Sequence, residues 1–231
     1  MKLRMAKLSD LILRSSEVTG VPLATVREVG RRLREDGLIQ TGVGGRYGGA
    51  EMTAEHAAGL LTALMIVRAY STSMRSVARL TRSHLKDLKS YYGRWNRVSA
   101  LPQLCRLKPT HTFGDAFSSL LASVADGDLE RATKKWTLYK TPVTGSSFEL
   151  TVKIASPNPF PVAIIDFNTE AFGLLRMIYA PRRDKVTFED WPRRWSEISD
   201  EPRNDLEVYA TLCHPTLKAI GLLLRNSEEH A

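Results

Sequence analysis

The hydrophobic period of the chain changes once, at about Phe148, and that change limits the folds open to it. Upstream, apolar residues recur at three- and four-residue spacing, the period of a helix. Downstream, "FELTVKIAS" and "PVAIIDFN" are strand-like runs around the turn "PNPFP", "FGLLRMIYA" reads as a third strand and "DLEVYATL" as a fourth. A terminal helix, "PTLKAIGLLLRN", follows. Helices first and strands after predict an α+β chain, with a small antiparallel sheet in a mixed C-terminal domain.

The helical part divides at its glycines. Ser9 and Asp10 can start a helix that runs to about Thr19, with Leu11, Ile12 and Val18 available for a core. Gly20 breaks it, and Pro22 suits the first turn of a second helix, in which Val26, Val29 and Leu33 recur at helical spacing. Gly37 ends that helix. Leu38 to Thr41 reads as a short strand and Ala50 to Met52 as its return, around a tip holding Gly42, Gly44, Gly45, Gly48 and Gly49. Thr53 caps a third helix, "AEHAAGLLTALMIVRAY", apolar nearly all round and so buried on several sides.

A basic helix is expected from about Ser73 to Tyr91, its apolar positions at Met74, Val77, Ala78, Leu85, Leu88 and Tyr92. Arg75, Arg79, Arg82, Lys86 and Lys89 recur at helical spacing and make one stripe. A looser stretch with Pro102 and Pro109 leads to a helix from about Phe113 to Ala125, broken at Asp126–Gly127. The linker is placed within Thr141 to Ser147. The division is therefore residues 1–68, a basic connecting region at 69–140, and a C-terminal α+β domain at 148–231 that dimerises or senses a signal.

Charge is distributed unevenly. The 231 residues carry a net charge of +8. Residues 68–97 hold eight Lys or Arg against Asp87 alone, whereas residues 148–231 hold ten basic and thirteen acidic side chains. A polyanionic partner is thus expected at the N-terminal and middle regions, with another task downstream. Cys105 and Cys213 make no disulfide framework, and "MKLRMAKLSDLILRSS" lacks the unbroken apolar core of a secretory signal. "AAGLLTALMIV" is too short to span a bilayer. A cytoplasmic protein without membrane attachment is expected.

Catalytic patterns are weak. His56, His84, His111, His214 and His230 form no H-x-x-x-H pair, and Cys213–His214 are too close in sequence for a usual chelate. "TGVGGRYGG" lacks the Lys-Ser/Thr end of a phosphate-cradling loop. Asp166, Glu170, Glu189 and Asp190 have Arg182, Arg183, Arg193 and Arg194 nearby, which favours ion pairing over an acidic site. Trp136, Trp191 and Trp195 read as core or interface residues. No enzymatic activity, cofactor or metal is expected.

The N-terminal pattern is more specific. Gly20 followed by Val26 and Val29 suits two helices docked at an elbow, and the second helix then presents Leu23, Ala24, Arg27, Glu28, Arg31 and Arg34 outward. "TGVPLATVREVGRRLREDGLIQTG" followed by "GRYGGAEMT" resembles the winged helix-turn-helix of bacterial and prophage transcription regulators, over roughly residues 8–53. Pro22 departs from it, standing where a Ser or Thr cap is common. The resemblance implies a recognition face of Leu23, Ala24, Thr25, Arg27, Glu28 and Arg31, with wing residues Arg46 and Tyr47, and Arg34 on the same outward face is a further candidate DNA contact. Arg75, Arg79, Arg82, Lys86 and Lys89 are candidate phosphate contacts.

The function expected is sequence-specific binding of double-stranded DNA for transcription regulation, as a homodimer on a palindromic operator. Alternatives are a mobile-element protein acting in replication, partition or recombination, a protein–protein adaptor that uses the winged domain, and an enzyme in the C-terminal half. The C-terminal domain is expected to take an unknown ligand or protein partner, or its own copy through strand pairing or packing of "LKAIGLLL".

Overall fold

The computed structural model describes residues 6–40, 51–70, 73–92, 101–135, 137–138, 141–142, 148–155, 161–169, 173–181 and 209–225. The fold is α+β. Its helices are α1 (Leu8–Thr19), α2 (Leu23–Glu35), α3 (Ala54–Tyr70), α4 (Met74–Asp87), α5 (Pro102–Cys105), α6 (Phe113–Ala125), α7 (Asp128–Lys135) and α8 (His214–Arg225). Its strands are β1 (Leu88–Tyr92), β2 (Thr137–Leu138), β3 (Thr141–Pro142), β4 (Phe148–Ala155), β5 (Val162–Thr169), β6 (Gly173–Pro181) and β7 (Tyr209–Cys213). Five of the strands form an antiparallel sheet in the order β1-β6-β5-β4-β7, and β2 and β3 pair separately.

Alternation along the strands gives the sheet one mainly apolar face. Leu150, Val152 and Ile154 of β4, Ile165 and Phe167 of β5, and Met177 and Tyr179 of β6 are all buried on it. The central helix α3 packs on β4 and β7 and also touches α2, α4, α6 and α8. It is buried along nearly its whole length, from His56 to Ile66. Its start is closed by a capping box with an unusual partner: the Thr53 amide donates to His56 Nδ1 (3.2 Å), and the His56 amide donates to Thr53 Oγ1 (3.4 Å). The buried apolar residues form one cluster running from Ala6 to Leu224, so residues 1–68, 69–140 and 148–231 all contribute to it.

Three expectations change. The basic helix ends at Asp87, not Tyr91, and Leu88–Tyr92 becomes the edge strand β1 beside β6. Lys89 therefore leaves the helical stripe and lies opposite Ala180, with a further bridge to Thr112. The hydrogen bonds that β1 gains from β6 and from the His111 carbonyl are non-local, and they override a helical spacing of cations. Second, Leu38–Gln40 is not a strand; Glu51 bridges to Lys7, and the Met52 amide donates to the Ala6 carbonyl (3.0 Å). The chain after the glycine-rich tip thus returns beside the entry to α1. The tip itself, residues 41–50, lies outside the described residues.

Third, the inner side of "LKAIGLLL" packs within the chain, while Leu222 stays exposed. Leu217, Ile220 and Leu224 are buried within the chain, where α8 packs on α6 and α1. A Cβ on Gly221 would stand 2.5 Å from Val124 Cγ1, so the two helix backbones are nearly in contact. Thr216 Oγ1 also donates to the Val18 carbonyl (3.4 Å), which ties α8 to α1.

The close approaches predict opposite effects at two glycines. A Cβ at Gly59 meets only Leu85 Cδ1 at 4.0 Å, so Gly59→Ala is expected to stabilise by up to about 1 kcal/mol through helix propensity. A Cβ at Gly114 meets the Leu85 carbonyl oxygen at 2.7 Å, and Gly114→Ala is expected to destabilise by about 1–3 kcal/mol because backbone must move. Urea unfolding of both variants reads the two signs.

Candidate nucleic-acid interface

The elbow between α1 and α2 is built from local hydrogen bonds. Gly20 adopts φ 68°, a left-handed conformation that closes α1, and its amide donates to the Ser16 carbonyl (3.0 Å). Ser16 Oγ donates to the Val21 carbonyl (2.7 Å), and the Val21 amide donates to Thr19 Oγ1 (3.3 Å). The turn is therefore held from both sides. Pro22 precedes α2 and gives it no side-chain cap. Leu11 of α1 and Val26, Val29 and Leu33 of α2 are fully buried. Gly30 permits the close crossing, since a Cβ there would lie 2.9 Å from Ile12 Cδ1. Gly37, at φ 71°, ends the helix, with the Leu38 amide donating to the Leu33 carbonyl (2.8 Å).

With that face buried, the opposite face of α2 is outward. Ala24, Arg27 and Arg34 are exposed, while Leu23, Thr25, Glu28 and Arg31 are partly exposed. Arg27 and Arg34, two helical turns apart, have no ion pair among the described residues. Arg31 differs. Its Nε and Nη2 donate to the two carboxylate oxygens of Glu28 (2.8 and 2.5 Å), and its Nη1 donates to Glu35. Arg32 donates from Nε to Glu28 (3.0 Å) and from Nη1 to Glu35 (3.4 Å). The hydrogen bonds from Arg31 hold the Glu28 carboxyl below its usual range, and Glu28 in turn raises the Arg31 guanidinium. Arg27 and Arg31 both belong to the expected recognition face; the structure separates an arginine without an ion pair among the described residues from a paired one.

The stripe on α4 is also divided. Arg75, Arg79 and Lys86 are exposed and without an ion pair among the described residues. Arg82 instead reaches Asp36, just past the end of α2, with Nη2 at 2.8 Å from Oδ2 and a hydrogen bond to the Asp36 carbonyl. This contact spans 46 residues of sequence and brings the α4 stripe beside the C-terminal end of α2. Lys89 lies in β1, as described. Arg46 and Tyr47 lie outside the described residues.

Asp166 is buried on the sheet face opposite the core and receives Arg176 at both oxygens (2.7 and 2.9 Å) and Lys153 Nζ at 3.1 Å. Glu170, Glu189, Asp190, Trp136, Trp191 and Trp195 lie outside the described residues. Among the described residues no three His, Cys, Asp or Glu side chains are grouped as metal ligands. Nor is any single helix among them long and apolar enough to cross a membrane. A cleft of about 410 Å³ is lined by Arg106, Lys108, His111, Asp115, Ser118 and neighbours.

His111 and His84 are both held in the same way. Nδ1 meets a backbone carbonyl, Lys108 at 2.6 Å for His111 and Leu80 at 2.8 Å for His84. A carbonyl only accepts, so Nδ1 carries the proton in each ring. Nε2 then accepts a tyrosine hydroxyl, Tyr179 at 3.0 Å and Tyr70 at 2.7 Å. Burial lowers both imidazole pKa values below 6.5 and raises that of Tyr70.

No family model, no curated protein and no solved structure matches this chain.

The two histidines predict an acid-side loss of stability. Their folded pKa values are depressed, so below pH 6.5 the unfolded state takes up protons first. Stability should be full above that value and should fall as pH drops below it, by at most about 1.4 kcal/mol per pH unit per histidine. Urea midpoints at about pH 7.5 and about pH 5.5 measure this; replacing His84 by Gln should reduce the difference, and equal midpoints in the wild-type chain would contradict it.

Proposed function

We propose that this protein binds double-stranded DNA through the outward face of α2, in the manner of a winged helix-turn-helix, and regulates transcription as a homodimer. The observation that carries the reading is the pair of exposed guanidiniums, Arg27 and Arg34, without an ion pair among the described residues, on a helix docked at a glycine elbow. A helix of 13 residues presented in this way has the dimensions to enter a major groove. The bridge between Lys7 and Glu51 supports it, because it brings the chain that leaves the glycine-rich tip back beside α1, as a wing requires. Arg75 and Arg79 on α4 would add phosphate contacts, which strengthen binding without reading sequence. A homodimer would present two such helices to a two-fold site and multiply a modest single-helix affinity.

Arg27→Ala is expected to weaken binding to the preferred duplex by about 1–3 kcal/mol and to relax the preference at one base pair. Charge reversal at Arg75 and Arg79 is expected to weaken binding to all sequences alike and to flatten the salt dependence. Fluorescence anisotropy on a duplex selected from a randomised pool, repeated over a salt series, measures both. Wild-type protein that enriches no duplex from the pool would overturn the proposal.

A further inference from the structure

Four charged side chains on the outward face of α2 neutralise one another. Glu28 and Glu35 bracket Arg31 and Arg32, and each carboxylate is paired with both arginines. The quartet has no net charge. Arg27 and Arg34 stand outside it. Sequence-independent attraction to a duplex depends on how many phosphates the protein's cations neutralise. Without the two glutamates, α2 would offer Arg27, Arg31, Arg32 and Arg34 to any duplex. With them, two of the four are already paired, and only Arg27 and Arg34 are left to meet a duplex.

We propose that Glu28 and Glu35 enforce specificity on this face: they withhold Arg31 and Arg32 from phosphate and so suppress binding to duplexes of arbitrary sequence. This rests on the DNA-binding reading of α2. The spacing serves the role. Glu28 reaches Arg31 and Arg32 three and four residues ahead, and Glu35 reaches the same two residues from four and three residues beyond. Either glutamate alone can still pair with both arginines, so both must be neutralised to release them.

The test is the double substitution Glu28→Gln/Glu35→Gln, titrated against short duplexes of randomised sequence and against a duplex selected by the wild-type protein. Random-sequence affinity should rise by about an order of magnitude near 0.1 M salt, and its log–log salt slope should steepen by up to about 1.8, two phosphate contacts at about 0.9 each. The ratio of selected to random affinity should fall. Glu17→Gln is the control for charge: Glu17 pairs with the exposed Arg14 on α1, so this change also removes one negative charge and frees one arginine, but not on α2. It should leave random-sequence affinity within about twofold of wild type, since one charge away from the contacted face adds no phosphate contact. Thermal unfolding checks that each variant is folded. If the double variant keeps the wild-type affinity and slope, or if Glu17→Gln raises affinity as much per charge removed, the proposal fails while DNA binding stands. If the wild-type protein binds no duplex, both fail.

Discussion

A helix without a polar face cannot lie on a surface. The third helix, from Ala54 to Tyr70, has buried residues at nearly every position of its first three turns, so every side of it must meet protein. The rest of the fold is arranged to meet that demand. The sheet covers one side through β4 and β7, and α2, α4, α6 and α8 cover the others. Because α2 and α4 are both applied to the same central helix, their outer faces end up as neighbours. Arg82 then fastens the start of the loop after α2 to the middle of α4. The basic surface is thus a consequence of how α3 is buried: the apolar sides of α2 and α4 face inward, and their cations are left outward.

The C-terminal helix belongs to the same arrangement. It closes the core over α6 and also touches α1 of the elbow pair, with Thr216 bonded to the end of that helix. The elbow pair is therefore supported by the end of the chain as well as by its neighbours in sequence. The part-buried Tyr70–His84 and buried Tyr179–His111 contacts satisfy the polar groups where α3 meets α4 and where the sheet meets the segment before α6.

Much of this was legible where one period governs a whole element. Val26, Val29 and Leu33 mark the inner face of α2, and the alternating run at 148–155 and the continuous run at 162–167, buried on both faces, mark two strands, because local pattern and final burial agree there. The α+β class followed from the same periods. What escaped reading depends on partners distant in sequence. Leu88–Tyr92 joins β6, whose residues lie about ninety positions on, and nothing local in a run of helically spaced cations announces that pairing. Asp36 and Arg82 are unremarkable until the fold brings them together. The Glu28–Arg31–Arg32–Glu35 quartet is a different case: its three- and four-residue spacings are visible in "REVGRRLRE", but spacing alone does not say whether an arginine answers to a neighbouring carboxylate or to a partner.

The central claim is that the outward surface of α2, extended by α4, is where a duplex is bound. Hydrogen exchange of the full chain, with and without a duplex enriched from a randomised pool, tests this most directly. Added duplex should slow exchange in residues 23–37 and in the first two turns of α4, and should leave β4, β5 and β6 unchanged. Protection confined to the sheet and the C-terminal helix, with α2 exchanging as in the free protein, would contradict the account.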